Sequence, residues 1–294
     1  MRKDRFLERA ASKIRITALA AFLLPAGGID ADTGSRPVSG ELRATKPFFR
    51  PGATTVLALS LVPEPGWHTY WINPGEAGMA PAFSWTLPPG FEAEDVRWPV
   101  PERIEDAGIT TLGYPGDITA FVRLRVSKTA PHSRVRIRVG LDLLACRETC
   151  LPVSLALECE LVPRGGNVPD SSGEDKRFSA FRKKLPLNRS NWKVEARRTP
   201  DSLVLVLAYA GTPPGAVEDV DFFPFEPGSV LPRPKRTVRD APNRFRVVFH
   251  PASSQAFAPR ETLAGILAAR PGWLEDPKRR GLVIRTVIRS GREE

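Results

Sequence analysis

The segment "LDLLACRETCLPVSL", Leu141 to Leu155, carries two of the chain's three cysteines, Cys146 and Cys150, with three residues between them. Strand-forming sequence on both sides predicts a tight hairpin, in which residues bracketing a three-residue loop face each other at about the 5.5 Å Cα separation that a disulfide requires. On a helix the same spacing would also bring the sulfurs together, but Leu151-Pro152 directly after Cys150 opposes a helix there. A closable pair of this kind has three uses. As a staple it is weak, because closing so short a loop removes little entropy from the unfolded chain. As an exchanging pair it is well suited, since a small-loop disulfide is more easily strained and hence more oxidising. As a metal site it needs further ligands, and His68, His132 and His250 supply no second cysteine pair and no His-x3-His partner for a full zinc set. A two-thiolate copper(I) site completed by His68 or Met79 stays open, because soft ligands favour that ion.

The remaining reactive side chains point elsewhere. Cys159 falls on the alternating stripe Val153, Leu155, Leu157, Cys159 and Leu161, so it is expected to be a small apolar core residue and not a reactive thiol. Glu102, Glu105 and Asp106 in "PERIEDAG" read as a solvated loop and not as an acid–base cluster. Neither Ser84 nor Ser154 lies in a Gly-x-Ser-x-Gly turn. Nothing in the residues calls for a cofactor or a resident metal.

The elements that must position the pair read as strands. Pro (30) and Gly (23) are frequent among the 294 residues, helical periodicity is scarce, and short β-branched and aromatic runs sit between turn signals, which predicts an all-β chain built as sandwiches. "TTVLALSLVPEPGWHTYW" gives a strand, a Pro-Gly turn and an aromatic strand with Trp67, Tyr70 and Trp71. Further strands are predicted at Ala82 to Thr86, Ile118 to Val126, Arg134 to Leu144 and Val153 to Leu161. After a stretch rich in Pro, Gly, Ser and charge, "EDKRFSAFRKKLP" predicts one short helix, with Phe178 and Phe181 spaced i, i+3 and Pro186 ending it. Strands at Leu203 to Tyr209, Phe245 to Phe249 and Leu282 to Ile288 follow, in a part of the chain without cysteine.

The first 31 residues read as an export signal: six basic residues between Arg2 and Arg15, the apolar run Ile16 to Pro25, then small residues around Ala26 to Ala31. Residues 1–31 hold six basic and three acidic residues, so their removal lowers the formal charge from +10 to +7. The basic excess is spread thinly, and clusters such as Arg182-Lys183-Lys184 lack the aromatic interleaving of a nucleic-acid binder. No later segment approaches the roughly 20 apolar residues of a membrane span, so the processed protein is expected not to cross a membrane.

Taken together, "GWHTYWINPGEAGMAPAFSWTLPPGF", "RWPVPERIEDAGITTLGYPGDI" and "LLACRETCLPVSLAL" resemble, in order and spacing, the N-terminal periplasmic region of the DsbD and ScsB family of thiol:disulfide interchange proteins. "DFFPFEPGSV" and "LAGILAARPGW" are similar to the second β-domain of ScsB-type members. The resemblance implies two immunoglobulin-like β-sandwich domains joined by a short linker and helix: a signal peptide at 1–31, a redox sandwich at 35–165, a linker with a short helix at 166–190 and a second sandwich at 191–294. It implies that Cys146 and Cys150 form one redox pair, with Cys150 attacking and Cys146 resolving the mixed disulfide. Arg147 beside the pair would favour its ionisation and Glu148 would oppose it. The resemblance further implies a shield over the pair, for which Tyr114, Trp67 and Trp71 are the candidates, and a periplasmic location. The implied partners are thioredoxin-like periplasmic proteins and a separate DsbD-type membrane reductase, since the Cys-x-x-Cys domain and membrane domain of the full-length reductases have no counterpart in this sequence. A non-enzymatic module binding copper(I) or an envelope protein is the alternative.

Overall fold

Apolar and polar residues alternate in several segments, most clearly over Arg134 to Leu144, and there the backbone follows that period into a strand. The computed structural model describes residues 36–164, 176–188, 190–199, 201–213, 217, 219–226, 234, 236–250, 262–269 and 280–290. The export signal, residues 165–175 of the linker stretch and the end of "DFFPFEPGSVLP" lie outside the described residues. In chain order the strands are β1 (Val38–Ala44), β2 (Phe48–Phe49), β3 (Thr54–Pro63), β4 (His68–Gly75), β5 (Ala82–Thr86), β6 (Phe91–Ala93), β7 (Glu102–Asp106), β8 (Ile109–Tyr114) and β9 (Ile118–Val126). Then come β10 (Val135–Cys146), β11 (Cys150–Pro163), helix α1 (Lys176–Arg182), β12 (Trp192–Arg198), β13 (Leu203–Tyr209) and β14 (Asp221–Pro224). The chain continues through β15 (Arg236–Ala241), β16 (Arg244–Phe249), β17 (Thr262–Ala268) and β18 (Gly281–Ser290).

Among the described residues the strands form three sheets. One has the order β1-β3-β9-β6; the second, which carries the cysteines, runs β2-β11-β10-β4-β8-β7 with β5 also on β10; the third runs β14-β17-β18-β12-β13-β16-β15. Leu57, Leu59, Leu61 and Leu124 from the first sheet and Ile137, Leu141 and Leu155 from the second share one buried cluster, in a sandwich-like packing. The outward face of the first sheet is covered as well. There α1 seats Phe178 and Phe181 on Ala58 and Phe121, with the rings of Phe121 and Phe178 edge to face at 6.3 Å, which explains why a strand residue on the outer side is buried. Phe223, Ile266 and Ala268 of the third sheet join the first core, while Leu205, Leu207, Val247 and Phe249 anchor a second one.

The hairpin strands run further than alternation alone suggests. β10 and β11 reach the cysteines themselves, and Pro152 lies inside β11 opposite Leu144. A proline is tolerated there because β11 has only β10 beside it at that point; its second neighbour, β2, pairs only with Val162 and Pro163. On the solvent side Arg134, Arg136 and Arg138 pair with Glu158 and Glu160 across the two strands, with closest contacts of 3.0 to 3.2 Å. Exposed pairs of this sort contribute little.

The shared core and the solvent side of the hairpin should respond differently to truncation. Leu59→Ala removes a fully buried side chain and is expected to cost about 2–5 kcal/mol in urea-induced unfolding, whereas Arg136→Ala should cost less than about 1 kcal/mol.

Candidate redox site

The β10–β11 hairpin holds its register without a break from Val135 opposite Leu161 to Cys146 opposite Cys150. Arg147, Glu148 and Thr149 form the loop, with the Arg147 amide donating to the Thr149 carbonyl at 3.2 Å. The two cysteines are joined in a disulfide with their Cα atoms 4.1 Å apart. The pair is unequal in exposure: Cys146 is 3 % exposed, and Cys150, at the start of β11, is open to solvent.

On its other edge β10 meets the beginning of β4, which sets His68 opposite Cys146 and Thr69 opposite Ala145. Side chains alternate along a strand, so His68 and Tyr70 share the face of Cys146. The Tyr70 hydroxyl donates to Cys146 Sγ at 3.0 Å and lies 3.8 Å from Cys150 Sγ. Burial raises the Tyr70 phenol above its ordinary value, which keeps it a proton donor at physiological pH. The His68 ring stands edge to face with Tyr70 at 5.3 Å. Burial lowers His68 below its ordinary value against the opposing pull of Asp106, so the imidazole beside the pair is neutral at pH 7.

Tyr70 is itself covered. Gly78 has φ +100°, and a Cβ at that position would stand 2.2 Å from Cε1 of the Tyr70 ring, so only glycine lets this backbone lie flat on the tyrosine. Three of the exposed large apolar side chains neighbour these residues in chain or register: Leu151 follows Cys150, Met79 follows Gly78, and Ile109 begins β8 opposite Asp106.

Of the aromatics singled out in the sequence, Trp67 adjoins the loop between the cysteines. It is half-buried, with the Arg147 guanidinium 5.3 Å from its ring centre. Trp71 is fully buried and faces away, against Phe223 at 6.5 Å and Phe225 at 5.7 Å. Tyr114 is also in the core, donating its hydroxyl to the Pro99 carbonyl at 2.9 Å and stacked on Trp98. Cys159 is half-buried against the first core, and burial, with a smaller contribution from Glu158, pushes its thiol up to about 11. Glu102, Glu105 and Asp106 lie along β7, where Asp106 acts on His68. Among the described residues no group of three or more His, Cys, Asp or Glu side chains is placed to hold a metal ion. Sequence reasoning passed over Tyr70 and Gly78; the signal for Tyr70 was its even spacing from His68, legible only once His68 is known to face Cys146.

Comparison with known proteins places this arrangement. Residues 38–158 match the family described as "Thiol:disulfide interchange protein DsbD, N-terminal", so this part of the chain, cysteine hairpin included, resembles the DsbD N-terminal region. The N-terminal periplasmic domain of ScsB from Proteus mirabilis has the same overall fold, with a TM-score of 0.58 at 18 % identity over 86 % of this chain and 94 % of that one. The major pilin subunit BcpA of Bacillus cereus aligns with a TM-score of only 0.29 at 8 % identity, over 86 % of this chain and 69 % of the pilin. No curated protein matches the sequence. Among the described residues no helix is long and apolar enough to cross a membrane.

The unequal thiols give a direct check. In the reduced protein, iodoacetamide at about pH 8 is expected to modify Cys150 well before Cys159, and the Cys159 rate should rise about tenfold per pH unit up to about pH 10, as peptide mass spectrometry would record.

Proposed function

We propose that the chain performs thiol–disulfide exchange through Cys146 and Cys150, as a periplasmic relay between thioredoxin-like proteins and disulfide-bonded targets. The observation that carries this reading is the asymmetry of the pair: one sulfur open to an incoming thiolate, the other buried under a tyrosine hydroxyl. The match of residues 38–158 to the DsbD N-terminal family supports it.

In the reductive half, a thiolate of the donor dithiol attacks Cys150 Sγ. The S–S bond breaks, a mixed disulfide forms, and the electron pair leaves on Cys146. Tyr70 donates a hydrogen bond to that leaving sulfur, which lowers the barrier because exchange is faster when the departing thiolate is stabilised. The donor's second thiolate then displaces Cys150, so the donor ends as a disulfide and the pair as a dithiol. In the second half, the Cys150 thiolate attacks a target disulfide, and Cys146 resolves the mixed disulfide, returning the pair to its oxidised form and the target to its dithiol. Two electrons pass from donor to target in each cycle. The solvent-open Cys150 is the sulfur with access for both attacks.

We further read residues 35–165 and 191–294 as two immunoglobulin-like sandwich units joined through a linker with α1, preceded by a cleaved export signal. The electron source in this reading is a separate DsbD-type membrane reductase acting through its thioredoxin-like domain. Trp67, stacked under Arg147 beside the loop, is the best placed of the sequence candidates for shielding or docking.

Three variants test the roles. Cys150→Ser should form no mixed disulfide with a reduced or oxidised thioredoxin-like protein, while Cys146→Ser should accumulate one on non-reducing gels; unchanged exchange by Cys150→Ser would sink the proposal. Tyr70→Phe should slow reduction of the pair about fivefold, the rate equivalent of losing one hydrogen bond of roughly 1 kcal/mol.

A further inference from the structure

The third sheet carries no cysteine, yet its edge strand β14 grips the redox sheet at three places. Asp221 of β14 accepts two hydrogen bonds from Arg103 of β7, from Nε at 2.7 Å and Nη2 at 2.8 Å. The pair is well out of water, with side-chain exposures of 3 % for Arg103 and 20 % for Asp221. Phe223 stands edge-on to Trp71 of β4. The Pro224 carbonyl accepts from Asn73 Nδ2 at 2.8 Å, and Asn73 is fully buried.

Asn73 sits where β4 loses its regular pairing. Tyr70 lies opposite Gly113 and Gly75 lies opposite Thr111, so the residues between them bulge out of the β4–β8 ladder. A bulge of this size lacks ladder bonds of its own and needs other partners to hold one shape. Asn73 supplies them from both ends of its amide: Nδ2 reaches β14, and Oδ1 accepts the Gly75 amide at 3.0 Å. From Gly75 the chain is fixed again at Glu76, whose amide donates to the Thr110 carbonyl at 3.0 Å and whose carboxylate accepts the Thr110 amide at 2.6 Å. Two residues on, Gly78 lies on the Tyr70 ring, and the Tyr70 hydroxyl meets Cys146. Arg103 fixes the other flank. It anchors the β7–β8 hairpin, which supplies Thr110 to Glu76 and brings Asp106 within electrostatic reach of His68.

We propose that β14 is a positioning element for the redox pair: through Asn73 and Arg103 it holds the Gly75–Gly78 segment and the β7–β8 hairpin in place, and thereby keeps Tyr70 seated over Cys146. Asn73 and Arg103 are positioning residues, since neither touches a sulfur. Their purpose rests on the exchange function proposed above; their effect on Cys146 does not. With the anchors intact, the resolving sulfur stays covered until its partner is attacked, and small oxidants reach Cys150 alone. With either anchor removed, the segment loosens, Tyr70 leaves the sulfur, and Cys146 becomes accessible.

The test measures alkylation of Cys146 by iodoacetamide in the reduced full chain carrying Cys150→Ser, with Cys159 as an internal reference in the same molecules. Asn73→Ala and Asp221→Ala are each expected to raise the Cys146 rate at least about threefold while leaving Cys159 unchanged, as local opening without global loosening requires. A parental Cys146 rate in a cooperatively folded variant overturns the proposal. So does a rise shared equally by Cys146 and Cys159, which would mean general destabilisation. Should Asn73→Ala fail to fold, Asp221→Ala decides alone, since its carboxylate is partly exposed and lies at the edge of its sheet. Because alkylation needs no protein partner, a failure of exchange with thioredoxin-like proteins would remove the function and leave this result standing.

Discussion

The pairing of Cys146 with Cys150 across the end of the β10–β11 hairpin is the constraint on which the site depends. A continuous antiparallel register delivers the two residues opposite each other, so the disulfide closes a three-residue loop instead of linking distant parts of the chain. A bridge of that span constrains the unfolded chain weakly, which leaves chemistry as its stronger reason to exist. The same register makes the sulfurs unequal. Cys146 is the last residue of a strand enclosed on both edges, by β11 and by β4, whereas Cys150 opens an edge strand. Exposure of one sulfur and burial of the other follow from that topology.

β4 converts this geometry into a site with two sides. Its even-numbered residues, His68 and Tyr70, face the disulfide; Trp71 and Asn73 face the core and the third sheet. A period of two therefore places the hydroxyl that serves the sulfur and the amide that fixes the strand only a few residues apart. The electrostatics are restrained. His68 is neutral at physiological pH, because burial outweighs the pull of Asp106, and Tyr70 keeps its proton. What His68 and Tyr70 offer a departing thiolate is a hydrogen bond, not a full positive charge. On acidification the linkage runs in one direction: a histidine whose folded value is lowered binds its proton more readily when unfolded, so stability present above about pH 6.5 is lost as the pH falls below it.

Much of this was legible in the sequence. Short β-forming runs between turn signals marked β5, β9 and β13 at their observed bounds, and the period of two placed Cys159 on the stripe that packs, half-buried, against the first core. The cysteine spacing, with Pro152 arguing against a helix, marked the hairpin and its closable pair. Register was the information that alternation could not supply. Trp67, Tyr70 and Trp71 are equally aromatic as letters; only the pairing of His68 with Cys146 separates the one that touches sulfur from the one that fills the core. Tyr114 likewise turns inward, onto Trp98 and the Pro99 carbonyl. Contacts such as Asn73 with Pro224 join residues far apart in the chain and leave no local pattern at all. The hairpin strands extend past the ends that alternation predicts for a related reason: a proline inside β11 is acceptable only because that stretch has a single neighbour, and neighbours are a property of the sheet.

The central claim is that the pair exchanges electrons and is not a structural bridge. Equilibrating the protein with a dithiol–disulfide couple of known potential, and quantifying the reduced fraction of Cys146 and Cys150, measures this most directly. A reduction potential between those of thioredoxin and the strong periplasmic oxidants, about −270 to −120 mV, is the expected result. A value below about −300 mV would contradict it, because at such a potential the bridge would resist reduction by any donor of the thioredoxin class.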